Sequence, residues 1–322
     1  MTMPERVFVA LGSNLGDRRQ YLSNGRASLS RLDSTRLLAA SSIEETAPIG
    51  PQDQGAYLNQ MVVLETDLSP LELLRSCQEI ERENGRVRGE RWGARTLDLD
   101  IVRFGDRVES SDDLELPHPE IANRAFWKRE IGELEQMVNI DEQSIVFPRW
   151  AHIRESRRSH VEGVAALVSA WANEMGVSVD ERRRWHKAVV LHDALKDAPE
   201  ILLEELVPEW WNIPSLRHGP AAALLAERDG ETDTGVLDAV RYHSVGYAGW
   251  ELVGKVLFLA DYLEKGRDFH TERHSDFISR VPKEMDATLR AVTAERLAGV
   301  LAYNFPLLPE TVEFWNSLVG AR

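Results

Sequence analysis

The chain has 322 residues, 43% hydrophobic and 28% charged, with a formal net charge of −15 and a single cysteine, Cys77. That length is comfortable for two domains, each with its own core. The acidic balance argues against a general nucleic-acid binder, and a lone cysteine excludes an internal disulfide and suits a reducing cytosol. No apolar run approaches membrane-spanning length and Met1–Arg6 lacks a signal peptide's apolar segment, so the expected setting is cytoplasmic, with no membrane partner.

In chain order, Val7–Leu11 reads as a short buried strand leading into the glycine-rich turn Gly12-Ser13-Asn14-Leu15-Gly16-Asp17-Arg18. The turn lacks the Gly-Lys-Ser/Thr ending of a Walker loop and alone predicts only a turn before a helix. A helix is expected over about Asp17–Leu32, a strand over Thr35–Glu45, a Pro/Gly loop from Thr46 to Gln54 and another strand over Tyr57–Leu64. Ser69-Pro70 supplies an N-cap and a first-turn proline for a helix reaching about Asn84 and stopped by Gly85. Its apolar positions Leu71, Leu74, Cys77 and Ile80 predict the buried stripe, so Cys77 belongs to the core.

Between Gly85 and Ile101 four arginines, Arg86, Arg88, Arg91 and Arg95, precede Asp98-Leu99-Asp100-Ile101-Val102. The alternation predicts a strand, and residues two apart on a strand share a face, so Asp98 and Asp100 project side by side. Carboxylates that close repel unless a cation intervenes, and hard oxygen ligands suit Mg²⁺. Guanidinium forks match phosphate oxygens. Together they predict a nucleotide polyphosphate carried with magnesium.

Arg95-Thr96-Leu97-Asp98-Leu99-Asp100 resembles the signature of the 6-hydroxymethyl-7,8-dihydropterin pyrophosphokinases of folate synthesis, over roughly the first 140 residues. The resemblance implies an α+β ferredoxin-like domain, transfer of the β,γ-pyrophosphoryl group of ATP to the pterin hydroxymethyl oxygen, and release of AMP. It places ATP on Gln78, Glu81, Arg86, Arg88, Trp92, Arg95, His118 and Arg124, and two Mg²⁺ on Asp98 and Asp100. It places the pterin on Thr46, Pro48, Ile49, Tyr57 and Asn59, between Trp92 and Phe126. Arg86, Arg88 and Arg95 with the two aspartates would carry the transfer. Glu44 departs from the pattern, since relatives often have an aromatic residue there.

Near Phe147-Pro148-Arg149 the character changes: strands give way to amphipathic helices, with breaks at Gly176, Pro208, Pro214 and Gly246. The expected domains are therefore 1–147 and 148–322. His160 lies in register with Val164, Leu167, Val168 and Trp171, and His192-Asp193 ends a helix whose inner face includes Trp185, Ala188 and Val189. His243 continues Val236, Ala239 and Val240, Asp261 continues Leu257 and Phe258, and His218 opens a helix. A lone histidine on an apolar stripe is usually a satisfied core residue. Several helices aiming His or Asp inward need a common partner, because unpaired buried charge costs several kcal/mol; a metal is the economical one.

These positions, with Lys196 and Arg267, are similar to the HD phosphohydrolase superfamily, in its symmetrical dinucleoside-tetraphosphatase-like branch, over about residues 150–270. The resemblance implies an all-α domain in which His160, His192, Asp193, His218, His243 and Asp261 hold two iron or manganese ions, Asp193 bridging. Lys196 and Arg267 would bind the leaving phosphate. His152, His186, His270 and His274 fall outside the pattern and are expected at the surface, and Trp210 and Trp211 are expected to pack. The predicted protein is a bifunctional enzyme acting on ATP, a dihydropterin and a phosphorylated metabolite. The rival readings of the second half are a sensor of nucleotide or metal, and a hydrolase of a pterin-pathway phosphate.

Overall fold

A computed structural model describes residues 4–47, 55–86, 95–142, 145–208, 213–264 and 272–320. The chain divides into two compact units, Met1–Asn139 with Gly176–Val179, and Ile140–Met175 with Asp180–Arg322. Sequence character changes somewhat later, at Phe147.

In the first unit the elements follow the order β1 (Glu5–Ser13), α1 (Arg18–Leu29), β2 (Thr35–Ala40), β3 (Glu44–Thr46), β4 (Tyr57–Thr66), α2 (Pro70–Glu83) and β5 (Asp98–Phe104). A small ribbon of β6 (Glu109–Ser110) and β7 (Glu115–Leu116) precedes α3 (Ala125–Glu142). The main sheet runs β2-β4-β1-β5, antiparallel throughout, with β3 added beside β4. This is the ferredoxin-like order expected of strand-helix-strand-strand-helix-strand. The predicted strand Thr35–Glu45 is in fact two, β2 and β3, separated by residues 41–43.

Both faces of the sheet are covered, which explains its continuous apolar runs. Val7, Val9 and Leu11 pack with Leu22 and Leu29 of α1 and Leu73, Cys77 and Ile80 of α2. Phe8, Ala10, Met61 and Val102 pack with Trp127, Ile131 and Leu134 of α3. A capping box starts α2: Ser69 N–H donates to Glu72 Oε2 at 2.8 Å, and Glu72 N–H to Ser69 Oγ at 3.4 Å. The buried stripe of α2 passes through Leu73, not through Leu71 and Leu74 as expected. Leu73, Cys77 and Ile80 keep the i, i+4, i+7 spacing, and Leu71 and Leu74 flank it half-buried.

The second unit is helical: α4 (Glu155–Met175), α5 (Val179–His192), α6 (Glu200–Leu206), α7 (His218–Arg228), α8 (Thr234–Tyr242), α9 (Leu252–Leu263), α10 (Glu272–Arg280), α11 (Met285–Ala302) and α12 (Pro309–Gly320). The central helix is α9, whose Val253, Val256, Leu257, Leu259 and Ala260 are all buried. His152 is exposed and His186 half-buried. His274 is not the surface residue expected: only 2% exposed, its Nε2 meets Glu295 Oε1 at 2.8 Å. A charged partner on α11 makes that burial tolerable, and the partner is distant in sequence. Trp210, Trp211 and His270 lie outside the described residues.

One carboxyl of the first unit is buried away from its cleft-lining residues. Glu130 on α3 is 3% exposed and accepts the Ser41 hydroxyl at 2.7 Å. Burial pushes it from 4.5 up to about 7. The unfolded chain therefore releases this proton first, and stability falls as pH rises from about 4.5 to about 7, then levels. Glu130→Gln should stabilise the first unit by about 1–3 kcal/mol at pH 8 and leave it nearly unchanged at pH 4. Calorimetry of the full chain at both pH values checks this; an equal effect at both would refute the titration.

Candidate functional sites

The first site is a cleft at one end of the sheet. Gly12 of β1 pairs with Asp98 of β5, and Ala10 with Asp100, so both carboxylates emerge on one face beside Ala10, Leu11 and Gly12. Tyr57, Asn59, Thr46, Arg95, Arg124, Phe126 and Trp127 line the rest. Thr46 and Asn59 sit on adjacent strands, and Asn59 Nδ2 donates to Thr46 Oγ1 at 2.8 Å. The Arg124 guanidinium lies 4.3 Å over the Trp127 ring, whose centroid is 5.2 Å from that of His118.

Electrostatically the cleft is a balance of carboxylates and guanidiniums. Arg95 and Arg86 both pair with Asp98, the latter at 2.7 Å. Arg86 also pairs with Glu81, a buried residue whose Oε1 accepts the Leu99 N–H at 2.7 Å. Glu81 thus braces the start of β5 from behind, while Gln78 on the same helix is exposed. Burial first, and Asp98 second, push Asp100 up to about 7. A divalent cation beside Asp98 and Asp100 would relieve that penalty, so the residues present fit magnesium. Burial and the nearby Arg124 hold His118 below its ordinary range, and burial raises Tyr57.

The glycine-rich turn has a part the sequence did not suggest. Asn14 is 7% exposed; its Oδ1 accepts the Arg95 N–H at 2.7 Å and its own N–H donates to Arg95 O at 3.1 Å. Arg18 donates to Ala56 O at 2.7 Å. The turn therefore anchors the backbone on either side of the cleft. Trp127 was likewise not anticipated. Pro48, Ile49, Arg88, Arg91 and Trp92 lie outside the described residues. Glu44 pairs with Arg129 of α3, which accommodates its departure from an aromatic residue.

In the second site, α4, α5, α7, α8 and α9 bring together all six predicted residues as two clusters: His160, His192 and Asp261, and Asp193, His218 and His243. His192 closes α5 and Asp193 follows it; His218 opens α7; His243 follows α8. The contact between α7 and α8 depends on Gly219, where a Cβ would stand 2.9 Å from Val240 O and 3.0 Å from Arg241 O. Glycine lets the helices close until His218 Nε2 and His243 Nε2 are 3.0 Å apart.

The back edges of three rings are fixed by the backbone. His192 Nδ1 meets Val189 O at 2.7 Å, His218 Nδ1 meets Ser215 O at 2.9 Å, and His243 Nδ1 meets Val240 O at 2.7 Å. A carbonyl only accepts, so each Nδ1 carries a proton and each ring turns its Nε2 inward. Burial drives His192 and His218 down to about 4, which keeps them neutral at physiological pH.

Ring nitrogens therefore face carboxylates: His218 Nε2 is 3.2 Å and His243 Nε2 3.6 Å from Asp193 Oδ1, while His160 and His192 Nε2 are 4.0 and 3.9 Å from Asp193 Oδ2. The buried His192 Nε2 has no hydrogen-bond partner. Cations at the centre resolve this convergence, and mixed imidazole and carboxylate donors suit a transition ion. Asp193 directs one oxygen to each cluster, as a bridge requires. Lys196 Nζ is 3.4 Å from Ser215 O and 3.5 Å from His218 Nδ1, behind that ring. Arg157, three residues before His160 on α4 and not anticipated, donates to Asp193 Oδ2 at 2.7 Å. Arg267 lies outside the described residues.

Paired carboxylates under arginines on a ferredoxin-like sheet define a nucleotide-dependent transferase, and a helical His/Asp cluster of this kind defines a metallohydrolase. Comparison with known proteins agrees with both classes. Residues 8–136 match the family model 7,8-dihydro-6-hydroxymethylpterin-pyrophosphokinase, and residues 157–266 match the HD domain. The chain is 46% identical over 132 residues to the 2-amino-4-hydroxy-6-hydroxymethyldihydropteridine pyrophosphokinase of Pseudomonas aeruginosa, covering 41% of this chain and 82% of that one. It is 42% identical over 132 residues to the Bacillus subtilis enzyme of that name, covering 41% and 79%. A solved chain described as a predicted HD superfamily hydrolase involved in NAD metabolism, from Clostridium acetobutylicum, aligns at 21% identity with a TM-score of 0.45 over 58% of this chain and 97% of that one. The chain belongs to the dihydropterin pyrophosphokinase family and carries an HD domain in its C-terminal half.

Gly219→Ala should push α7 from α8 and part His218 from His243, because the Cβ meets backbone that cannot yield. Overpacking of this kind costs typically 1–3 kcal/mol. Elemental analysis should find the full chain short of about one of two metal equivalents, with the fold retained by circular dichroism. Undiminished metal content would show that the pair does not form a position of its own.

Proposed function

We propose that the chain is a bifunctional enzyme of folate synthesis and phosphate-ester or anhydride hydrolysis, built as domains 1–147 and 148–322. The first transfers pyrophosphate from ATP to 6-hydroxymethyl-7,8-dihydropterin and releases AMP, as the names of its relatives suggest. The observation that supports this reading is the common face of Asp98 and Asp100 beneath Arg95 and beside Asn59 and Tyr57. Transfer of this type asks mainly for alignment and charge neutralisation. Asp98 and Asp100 would hold Mg²⁺, which neutralises phosphate charge when bound. Arg86 and Arg95 would exchange Asp98 for phosphate oxygens, and His118 and Arg124 would meet the nucleotide at the other wall. Asn59, Thr46 and Tyr57 offer polar groups to the pterin edge, and Phe126 offers a ring face. Asp100→Ala should reduce AMP release by at least about 100-fold, a loss of roughly 3 kcal/mol, while pterin binding in its absence persists. Near-normal release would remove the aspartates from the reaction.

For the second domain the supporting observation is the convergence of bare imidazole nitrogens on Asp193 and Asp261. His160, His192 and Asp261 would hold one metal ion, His218 and His243 the other, with Asp193 between. A metal pair supplies an activated water for attack on phosphorus. Lys196 and Arg157 place positive charge beside the centre for a phosphate group. Iron or manganese suits the donors, and the first substrate to test is diadenosine tetraphosphate, cut symmetrically into two molecules of ADP. Dihydropterin phosphates and mononucleotides follow. Residues 148–322 expressed alone should contain stoichiometric metal and release product, and Asp193→Ala should lose metal and turnover together. Metal without turnover on any of these substrates would favour a sensor, and absence of metal would leave a polar core.

A further inference from the structure

Of the four inward histidines, His160 is oriented differently. It stands inside α4, where the carbonyl one turn back serves the helix. Instead Nδ1 meets Glu264 Oε2 at 3.1 Å, a residue 104 positions later at the end of α9. Glu264 is 7% exposed. It reaches the ring because position 163, one turn beyond His160, is glycine: a Cβ there would stand 2.5 Å from Glu264 Oε1 and 2.9 Å from its carboxyl carbon. On its opposite edge His160 Nε2 lies 3.1 Å from Asp261 Oδ1.

We propose that Glu264 is a positioning residue of the HD centre, and that it makes the metal position of His160, His192 and Asp261 the tighter of the two. The proposal rests on the reading of this cluster as a metal centre. A carboxylate facing Nδ1 accepts its proton, fixes the tautomer with a bare Nε2, and makes that nitrogen a stronger donor than a carbonyl partner does. Charge separates the positions in the same direction. The His160 position has Asp261 as a ligand and Glu264 behind the ring, besides its share of Asp193. Among the described residues, the His218 position has only its share of Asp193, with Lys196 Nζ 3.5 Å behind His218. Among the described residues, Arg157 on Asp193 Oδ2 offsets part of that difference. Loading should therefore be sequential, one ion held firmly and the second exchanging.

The test is titration of the metal-free full chain with Mn²⁺, free ion being followed by electron paramagnetic resonance. Wild type should bind one equivalent at least about tenfold more tightly than the second. Glu264→Gln, which keeps the shape and removes the charge, should weaken the tight class by about 10–100-fold and leave the weak class unchanged. Glu264→Asp should restore part of the loss. Gly163→Ala, which crowds the carboxylate from the other side, should weaken the same class, and decides the matter if Glu264→Gln does not fold. Two equal classes in wild type, or a tight class unmoved by these substitutions, would overturn the proposal. Failure of wild type to bind Mn²⁺, Fe²⁺ or Zn²⁺ at all would instead overturn the underlying metal-centre reading.

Discussion

Negative charge drawn out of water must be met by positive charge, and each half of this chain is arranged around carboxylates that its fold alone does not fully satisfy. In the first unit Asp98 and Asp100 share a strand face, and the second of them is held near neutrality by burial and by its neighbour. In the second unit Asp193 and Asp261 sit among four imidazoles, three of which commit their Nδ1 protons to backbone carbonyls. The two architectures reach this condition by different periodicities. A strand needs only alternate residues; a helical bundle needs five helices to converge, with glycine where two of them approach most closely.

That difference accounts for what was legible in the sequence. Period-two alternation put Asp98 and Asp100 together without knowledge of any other strand, and the helical stripes pointed His160, His192, His243 and Asp261 inward one at a time. The expected ferredoxin-like order followed from the succession of elements. The stripe of α2 was misassigned by a fraction of a turn because three leucines crowd Leu71–Leu74, and only packing against β1 decides which face is covered. The single strand expected over Thr35–Glu45 divides at residues 41–43, where the register against β4 slips by one residue.

Less legible were the residues whose meaning lies in a distant partner. Asn14 looked like an ordinary turn residue, yet it braces Arg95 across 81 positions of sequence. His274 looked like a surface histidine because its acid, Glu295, is on another helix. Arg157 carries a local hint, standing one turn from His160, but its partner Asp193 is 36 residues away. Glu264 has no local hint at all: its role depends on a glycine side chain that is missing a hundred residues earlier. Such pairs leave no periodic trace, since each is specified by tertiary packing and not by the repeat of its own element.

The ion pairs of the first site bear on how its ligands would arrive. Arg86 and Arg95 engage Asp98, so neither the arginines nor that aspartate are idle charges. A lone magnesium ion would have to draw Asp98 from its guanidiniums and leave them uncompensated. A lone polyphosphate would draw the guanidiniums from Asp98 and leave two adjacent carboxylates bare. Each half-reaction exposes the charge that the other ligand covers, and only together do carboxylate-to-metal and guanidinium-to-phosphate contacts replace the pairs that are broken. Metal and nucleotide should accordingly reinforce one another's binding, with the cost of partner exchange shared between them. In the second site the balance is otherwise: burial keeps His192 and His218 neutral and their rings are fixed from behind, so metal entry would displace fewer committed charges, chiefly the Arg157 contact to Asp193. The same constraint would thus yield a cleft that assembles with its substrate and a centre whose donors are placed in advance.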